Sequence, residues 1–384
     1  MKMFAGLRRL RQEWQGLQAF KRVPREQRQI VFYSEGKGYW SWFEPVFRSL
    51  QRLHDLPVLY VTSASDDPLL LDPPEGMRAF YVGEGSMRTL FFSTLDVDVL
   101  LMTMPDLQSF HIKRSPFPVH YAYLHHSIVS THMIYRAEAF DHFDSILCVG
   151  PHHVEETRAR EQALGLSPKT LVEHGYGRLD RILEQGNAGP LPRADAPIQV
   201  LVAPTWGANG LIEQHGIDAV KPLIDAGLRV ILRPHPRTRK FAGPTLDEIA
   251  RHYRDEPRFR MDEDSDGTAS LQSSDIMLSD WSGAALEFAF GLERPVIFAD
   301  VPRKVLNPDY AQLDIEPIEV QVREQLGVVV AVDRLETLGE VAQAMADDSE
   351  KWQASLREAR QRWIFNTGKS GDKAAEYLKT LRNQ

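Results

Sequence analysis

The sequence contains a single cysteine, Cys148, among its 384 residues. One thiol cannot form an intrachain disulfide, and it excludes the multi-cysteine cages that hold structural zinc. No stretch approaches the roughly 18 to 20 uninterrupted apolar residues that cross a bilayer. The N-terminus also lacks the apolar core and the small-residue cleavage site of a signal peptide. We therefore expect a cytoplasmic chain without a disulfide framework.

Outside the first 28 residues the chain carries no net positive charge. The formal net charge is −8, although residues 1–28 hold eight basic and two acidic side chains. General nucleic-acid binding needs a basic face on the folded domain itself, and an acidic body does not provide one. The composition therefore argues against a nucleic-acid partner, and the basic leader fits an anionic membrane surface better.

Residues 1–28 are predicted to form a basic amphipathic helix. Apolar side chains recur at alternating spacings of four and three along one helical stripe, at Met3, Leu7, Leu10, Trp14 and Leu17. Such a helix can lie in the headgroup region of a membrane. The alternative is a helix docked on its own protein or on a dimer partner. We expect peripheral binding at the inner face of the cell membrane, and the oligomeric state stays open.

Two sets of short apolar runs alternate with helical stretches. The first set covers residues 29–34, 57–62, 79–83, 98–103, 119–126 and 145–150, and the second covers 198–204, 229–234, 275–280, 295–300 and 327–332. Runs of this kind indicate strands that are buried on both faces of a mostly parallel sheet. A stretch rich in Gly, Pro and Ala, 184–197, is predicted to be the linker.

This organisation predicts an α/β protein with two Rossmann-like, doubly wound domains that face a cleft. The predicted N-terminal domain covers 29–183, and the predicted C-terminal domain covers 198–384 together with its terminal helices.

The strongest local signal for a ligand is the segment SDWSG and the helix that follows it. A buried strand ends at Asp280, and a helix is predicted to begin near Gly283. Free backbone N–H groups and the helix dipole then make an anion site, in which Ser282 and Gly283 would cradle a phosphate. Glu287 lies one turn further on, within reach of ribose hydroxyls. A capped helix start with no ligand is the simpler alternative.

A second signal is the strand that runs into Arg233, Pro234, His235 and Pro236. The two prolines restrict the backbone around His235, and arginines surround it, an arrangement that suits a pyrophosphate. Another strand exit presents Thr205 and Trp206, which border either the nucleotide or the acceptor, or only pack there. The alternative for the histidine is an ordinary loop residue within a solvated basic cluster.

In the N-terminal half, an apolar run delivers His125 and His126 to its carboxyl end, where open α/β sheets bind their ligands. Adjacent strand residues face opposite ways, so one of the two is expected to face the cleft. A neutral imidazole there can accept the proton of an attacking hydroxyl. Zinc binding is disfavoured because no cysteine or carboxylate stands at a recognised spacing. No metal or other cofactor is expected.

Taken together, these segments resemble the CDP-glycerol glycerophosphotransferase family, the teichoic-acid primases and polymerases. The resemblance covers about 29–378, and it rests on four segments in order: GYGRLDRI at 175–182, APTW at 203–206, RPHP at 233–236, and SDWSG with LEFA downstream. Two departures stand out. Gly177 replaces the family's proline, and the His-Gly element appears as His126-Ser127 without its following lysine, which leaves the acceptor open.

The resemblance implies a glycosyltransferase B fold and a transferase that moves glycerol phosphate from a CDP-linked donor to a lipid-linked or polymeric hydroxyl. It makes His126 the catalytic base, with His235, Arg233, Ser282 and Glu287 on the donor. One rival is a glycosyltransferase of the same fold that uses a nucleotide sugar for capsule or envelope polysaccharide. The other is an inactive scaffold, disfavoured because His126, His235, Asp280 and Glu287 are all present.

Overall fold

The computed structural model describes residues 2–109, 112–186, 188–191, 196–262 and 267–382, and their side chains from residue 6 onward. The chain forms two compact units. The first consists of Met1–His126, Tyr135–Arg181 and Ile364–Gln384, and the second consists of Ser127–Ile134 and Ile182–Trp363. Residues 187 and 192–195 of the predicted linker, and the Met3 side chain of the predicted apolar stripe, lie outside the described part.

The strands fall into two groups along the chain. In the first unit they are β1 (Ile30–Ser34), β2 (Val58–Thr62), β3 (Met77–Tyr81), β4 (Val99–Met102), β5 (His120–Leu124), β6 (Ser145–Cys148) and β7 (Thr170–Glu173). In the second unit they are β8 (Gln199–Val202), β9 (Arg229–Leu232), β10 (Phe259–Met261), β11 (Ile276–Ser279), β12 (Val296–Asp300) and β13 (Gly327–Ala331).

Helices separate most of the strands. In chain order they are α1 (Lys2–Lys21), α2 (Trp40–His54), α3 (Ser86–Ser93), α4 (Thr131–Ile134), α5 (Pro151–Leu164), α6 (Gly177–Glu184), α7 (Leu211–His215), α8 (Lys221–Asp225), α9 (Pro236–Phe241), α10 (Gly243–His252), α11 (Thr268–Ser273), α12 (Gly283–Leu292), α13 (Ile318–Gln321), α14 (Arg323–Leu326), α15 (Leu338–Asp347), α16 (Ser349–Trp363) and α17 (Ser370–Thr380).

Each unit is built on one parallel sheet. The strand order is β3-β2-β1-β4-β5-β6-β7 in the first unit and β10-β9-β8-β11-β12-β13 in the second. The order reverses between β1 and β4 and between β8 and β11, and ligands of open α/β sheets bind beyond the carboxyl ends of the strands at such a switch point. The prediction of two doubly wound domains is confirmed.

The apolar runs form these strands because both faces of each sheet are covered. In β1, Val31 and Tyr33 pack into one apolar cluster, whereas Ile30 and Phe32 pack into another on the opposite face. This alternation is the pleat of a strand that has helices on both sides. It explains why the runs read as continuously hydrophobic.

Strands β7 and β10 were not predicted, because each lies at the edge of its sheet and lacks an apolar run. No residue of β7 is fully buried, and β10 has three residues that are intermediate or exposed. An edge strand has a neighbour on one side only. Its sequence therefore carries a weaker signal of burial.

The compact units differ from the predicted domain boundaries at two places. Helix α17 packs against α2 in the first unit, where Ala374, Ala375 and Leu378 join the apolar cluster that contains Phe32. Residues 127–134 belong to the second unit, in which the Glu319 carboxylate accepts the Ser130 amide at 3.1 Å. These are pairings between segments far apart in sequence, which periodicity does not reveal.

The N-terminal helix α1 is docked through its second half. Leu17 and Phe20 are buried in the core of the first unit, and Gly16 lies so close to β3 that a Cβ would meet the Tyr81 carbonyl oxygen. Leu7, Leu10 and Trp14, in contrast, are 60%, 43% and 46% exposed. The predicted stripe is therefore split between the core and the surface, and its membrane role stays a prediction.

Two searches of the described residues concern membranes and metals. None of the helices in these ranges has both the length and the hydropathy to cross a membrane. Likewise, no three or more His, Cys, Asp or Glu side chains in this part of the chain are grouped so that they could hold a metal ion.

Candidate functional site

The predicted anion site in the second unit lies at the switch point of its sheet. Ser282 is the N-cap of α12, and its Oγ accepts the Ala284 amide at 3.3 Å. The helix begins at Gly283, as the sequence predicts. A Cβ on Gly283 would come within 3.2 Å of Val129 and 3.3 Å of Ser127. Glu287 is half-buried one turn into the same helix.

Asp280 positions the neighbouring loop. It is 2% exposed, and its carboxylate accepts the Thr205 amide at 2.7 Å and the Leu211 amide at 3.4 Å. Burial raises the pKa of Asp280 to about 6, although these backbone hydrogen bonds oppose the increase. The side chain thus ties the loop after β8 to the end of β11. The two predicted segments, APTW and SDWSG, meet at this residue.

His235 is held as a neutral hydrogen-bond donor. It caps α9, and its Nδ1 accepts the Arg237 amide at 3.1 Å. The proton of the neutral ring is therefore on Nε2. The pKa of His235 is lowered to about 4, mainly by burial and also by Lys304, Arg237 and Arg233, which repel a further positive charge. At neutral pH the ring can donate to an anion without carrying charge.

The Arg233 side chain, two residues before His235, is held by a glycine of another loop. Its guanidinium donates to the Gly267 carbonyl oxygen at 3.2 Å. Gly267 has φ +60°, and a Cβ there would lie 1.9 Å from the Arg233 Cζ. Glycine suits this position because its left-handed backbone disfavours a side chain, and a Cβ would displace the Arg233 guanidinium from its hydrogen bond.

Trp206 is surrounded by cations and a second aromatic ring. Phe241 stacks on it with ring centroids 5.7 Å apart, while Arg237 Cζ lies 4.4 Å and Lys304 Nζ 4.2 Å from its centroid. Lys304 Nζ also donates to Thr205 Oγ1 at 2.7 Å. Loops after β8 and β12 enclose a pocket of about 190 Å³ at this place, lined by Thr205, Trp206, Trp281 and Lys304 among others.

The second unit thus holds the residues predicted at three strand exits, after β8, β9 and β11. Within it Thr205 is hydrogen-bonded to Asp280, and the rings of Trp206 and His235 have centroids 6.0 Å apart. Lys304 was missed. It follows β12, which was predicted as a strand, so the same rule about carboxyl ends of strands would have pointed to it. The signal was weak because no glycine, proline pair or helix start marks that loop as a ligand site.

The two adjacent histidines of the first unit lie just beyond β5 and have different surroundings. His125 is 1% exposed and stacks on His153 with ring centroids 3.8 Å apart. His126 is half-buried, its Nδ1 lies 3.1 Å from the Tyr123 hydroxyl, and its Nε2 lies 3.5 Å from the Tyr135 hydroxyl. Burial lowers the pKa of His126 to about 4, so the ring is neutral at physiological pH.

A carboxyl group with unusual proton affinity accompanies His126. Glu35 follows β1 at the switch point, and burial raises its pKa to about 7, with Arg88 lowering it and Asp106 raising it. Burial raises the pKa values of Tyr39 and Tyr123, both of which contact His126, and the charge of Glu35 raises them further. Asp106 itself accepts two hydrogen bonds from Arg136. Glu35 therefore has the better pKa for proton transfer at neutral pH.

The chain was compared with known proteins in three ways. Residues 127–307 match the family described as CDP-glycerol:poly(glycerophosphate) glycerophosphotransferase. The match begins directly after His126 and contains every predicted donor residue from Thr205 to Glu287. No curated protein sequence matches the chain.

Similar solved structures cover nearly the whole chain. A glycosyltransferase from Rickettsia africae has a TM-score of 0.54 at 12% identity, covering 93% of this chain and 100% of that one. The UDP-GlcNAc 2-epimerase of Neisseria meningitidis bound to UDP-GlcNAc has a TM-score of 0.54 at 11% identity, and its match covers 92% of this chain and 99% of that one. The UDP-GlcNAc 2-epimerase of Methanocaldococcus jannaschii, in complex with UDP-GlcNAc and UDP, also has a TM-score of 0.54 at 11% identity. Its match covers 92% of this chain and 99% of that one.

At these identities the similarity shows the fold alone, the glycosyltransferase B type, which serves many chemistries. The family match adds the activity class. The chain is accordingly a transferase whose residues 127–307 match the CDP-glycerol:poly(glycerophosphate) glycerophosphotransferase family, as the sequence resemblance predicted.

Proposed function

We propose that this transferase moves a polyol phosphate, glycerol phosphate by default, from a CDP-linked donor to a hydroxyl of a lipid-linked or growing cell-surface polymer. The observation that carries the proposal is the family match over 127–307, which contains the cluster of Arg233, His235, Ser282 and Glu287. In the proposed step the acceptor oxygen attacks the β-phosphorus of the donor. The bond between that phosphorus and the bridging oxygen breaks, and CMP leaves with the electron pair.

The proposed donor side stabilises the departing CMP. His235 offers a neutral Nε2–H, and Arg233 and the start of α12 at Ser282 and Gly283 supply positive potential where charge develops. Glu287 would hold the ribose, and Trp206 and Thr205 would border the donor. Asp280 would act through the backbone of Thr205, which it holds in place.

The proposed acceptor side uses His126 as the general base that receives the hydroxyl proton. Its neutral ring can accept a hydrogen bond at physiological pH. Glu35, which follows β1 at the switch point, is the alternative base, because burial gives it a pKa of about 7. The pH dependence of the reaction distinguishes the two, as argued below.

We further propose that the leader helix α1 places the enzyme at an anionic membrane surface. Leu7, Leu10 and Trp14 are exposed together, and Arg8 and Arg11 beside them are exposed as well. Exposed apolar and basic side chains on one helix suit the interface between headgroups and acyl chains. This would bring the protein to the inner face of the cell membrane, where a lipid-linked acceptor resides.

A glycosyltransferase that uses a nucleotide sugar is the second candidate, because the two solved epimerases named above bind UDP-GlcNAc or UDP. The two functions release different nucleotides. The protein should be incubated with CDP-glycerol, with UDP-sugars and with CMP-sugars in the presence of membranes, and the released nucleotide identified by chromatography. We expect CMP from CDP-glycerol. Release of UDP from a UDP-sugar, with CDP-glycerol left intact, would establish the glycosyltransferase instead.

A further inference from the structure

Lys304 occupies an unusual position for a lysine side chain. It lies four residues after the end of β12, at the same sheet edge as the predicted donor residues, and its side chain is half-buried. Its ammonium donates to the Thr205 hydroxyl at 2.7 Å and lies 4.2 Å from the centroid of Trp206. A lysine normally keeps its charge in water, so burying it costs free energy unless an anion compensates.

The protein itself provides that compensation only in part, through the charges of Asp280 and Glu213. The hydrogen-bond partner of Lys304 is a neutral hydroxyl, and the nearby Asp280 carboxylate already accepts two backbone amides. Arg237, over the same Trp206 ring, adds a second cation instead of an anion. Lys304 and Arg237 thus place two positive charges around one aromatic ring at a switch point.

The pocket next to Lys304 is large enough for a small chemical group such as a phosphate, but not for a whole nucleotide. Its volume is about 190 Å³. Sites for drug-sized ligands usually occupy roughly 300 to 1,000 Å³. The smaller volume, the lysine and the indole wall of Trp281 fit a phosphate with a short polar substituent.

We propose that Lys304 binds a non-bridging oxygen of the donor's diphosphate in the pocket beside Thr205 and Trp206. The inference deepens the proposed function and rests on it for the identity of the donor. Lys304 would then fix the donor's phosphates against Thr205, while His235 and Arg233 contact them from the neighbouring strand exit.

This role gives donor binding a dependence on alkaline pH. The pKa of Lys304 is lowered to about 8. Burial is the main cause, Asp280 opposes it, Arg237 adds to it, and Glu213 opposes it. His235 stays uncharged throughout the neutral and alkaline range. Affinity for a diphosphate should therefore decline as pH rises through about 8, because Lys304 then loses its proton.

The test is calorimetric binding of CDP and of inorganic pyrophosphate to the full chain. Lys304→Met removes the charge at nearly constant shape, and Lys304→Arg keeps a charge that does not titrate. Lys221→Met, on an exposed lysine of α8 that pairs with Asp225, is the matched control. We expect about 10- to 100-fold weaker binding for Lys304→Met at pH 7, and normal binding for Lys221→Met.

Measuring binding at several pH values tests the role of Lys304 even if Lys304→Met folds poorly. Thermal unfolding without ligand will show whether that variant is folded. Between pH 7 and pH 9 the affinity of the wild-type protein for CDP should fall, whereas that of Lys304→Arg should stay constant. Equal affinities of wild type and Lys304→Met, a pH-independent wild type, or no binding of either probe would overturn the inference. Lys304-dependent binding without turnover of CDP-glycerol would uphold it and refute the proposed function.

Discussion

The ionisable groups of the site are tuned mainly by burial. Burial holds the pKa values of His126 and His235 at about 4, and it raises that of Glu35 to about 7. A general base must be unprotonated to act, so activity is lost below the pKa of the base in the free enzyme. His126 and Glu35 are therefore distinguishable by where the acidic limb of kcat/KM falls.

With His126 as the base, kcat/KM should keep its value down to about pH 5 and decline only toward pH 4. His126→Ala should lower kcat by roughly a hundredfold to ten-thousandfold and leave binding of the CDP donor nearly intact. His125→Ala is the control, because His125 is buried against His153 and should affect stability instead. An acidic limb near pH 7 that disappears in Glu35→Gln would make Glu35 the base.

At the residue scale the sequence predicted candidate side chains at the strand exits of the second unit, because strand ends, prolines and a helix start mark them. It did not predict what they contact. The anchoring of Thr205 by Asp280 and the contact of Lys304 with Trp206 join segments about 75 and 98 positions apart along the chain. Burial of His126, and hence its low proton affinity, also depends on tertiary packing.

Among the elements, the buried histidines beyond β5 and β7 should make the first unit sensitive to acid. Burial lowers the pKa of His125 well below its ordinary value, with His153 and His126 contributing, and it lowers that of His174 to about 4. An unfolded histidine has a pKa of about 6.5. Because the unfolded state takes up protons first, their stabilisation is complete above pH 6.5 and is lost as pH falls toward 4.

We expect urea unfolding at pH 5.5 to show a free energy of unfolding about 1 kcal/mol lower per buried histidine than at pH 7.5. His174→Leu should remove part of this difference. Unfolding that is equally favourable at both pH values would show that these rings already carry protons in the native state or that the unfolded state does not titrate normally.

The membrane role of the leader helix α1 is best tested by substitutions, because deleting the helix would also remove core residues. The sequence predicted residues 1–28 as a helix ahead of a first domain that begins at residue 29, but Leu17, Phe20 and Val23 are buried in the core of the first unit. Replacing Leu7, Leu10 and Trp14 with glutamate leaves that core untouched. We expect the triple variant to lose sedimentation with anionic vesicles while its thermal unfolding is unchanged. Leu164→Glu, at another exposed leucine, is the control.

Unchanged vesicle binding of the triple variant would refute the membrane role of α1.

Hydrophobic periodicity predicted some elements well and missed others. Each predicted strand is present, because runs buried on both faces are distinctive. The edge strands β7 and β10, and the packing of α17 against α2, depend on partners that are distant in sequence.

For the molecule as a whole, the two sheets share one design. Each is parallel, and each reverses its strand order at one point, with polar and ionisable residues beyond the carboxyl ends of the central strands. The second unit carries the residues proposed for the donor, and the first carries His126 and Glu35. The proposed reaction is a phosphoryl transfer, so the β-phosphorus of the donor must end up in the acceptor.

CDP-glycerol labelled at its β-phosphorus tests this claim most directly. The protein is incubated with the labelled donor and an oligo(glycerol phosphate) acceptor on lipid, and Ser282→Ala with His235→Ala serves as the impaired variant. We predict that the label appears in the lengthened acceptor, that unlabelled CMP is released in equal amount, and that the double variant does neither. Label retained in a released nucleoside diphosphate would contradict the account, because the bond broken would then be to carbon and not to phosphorus.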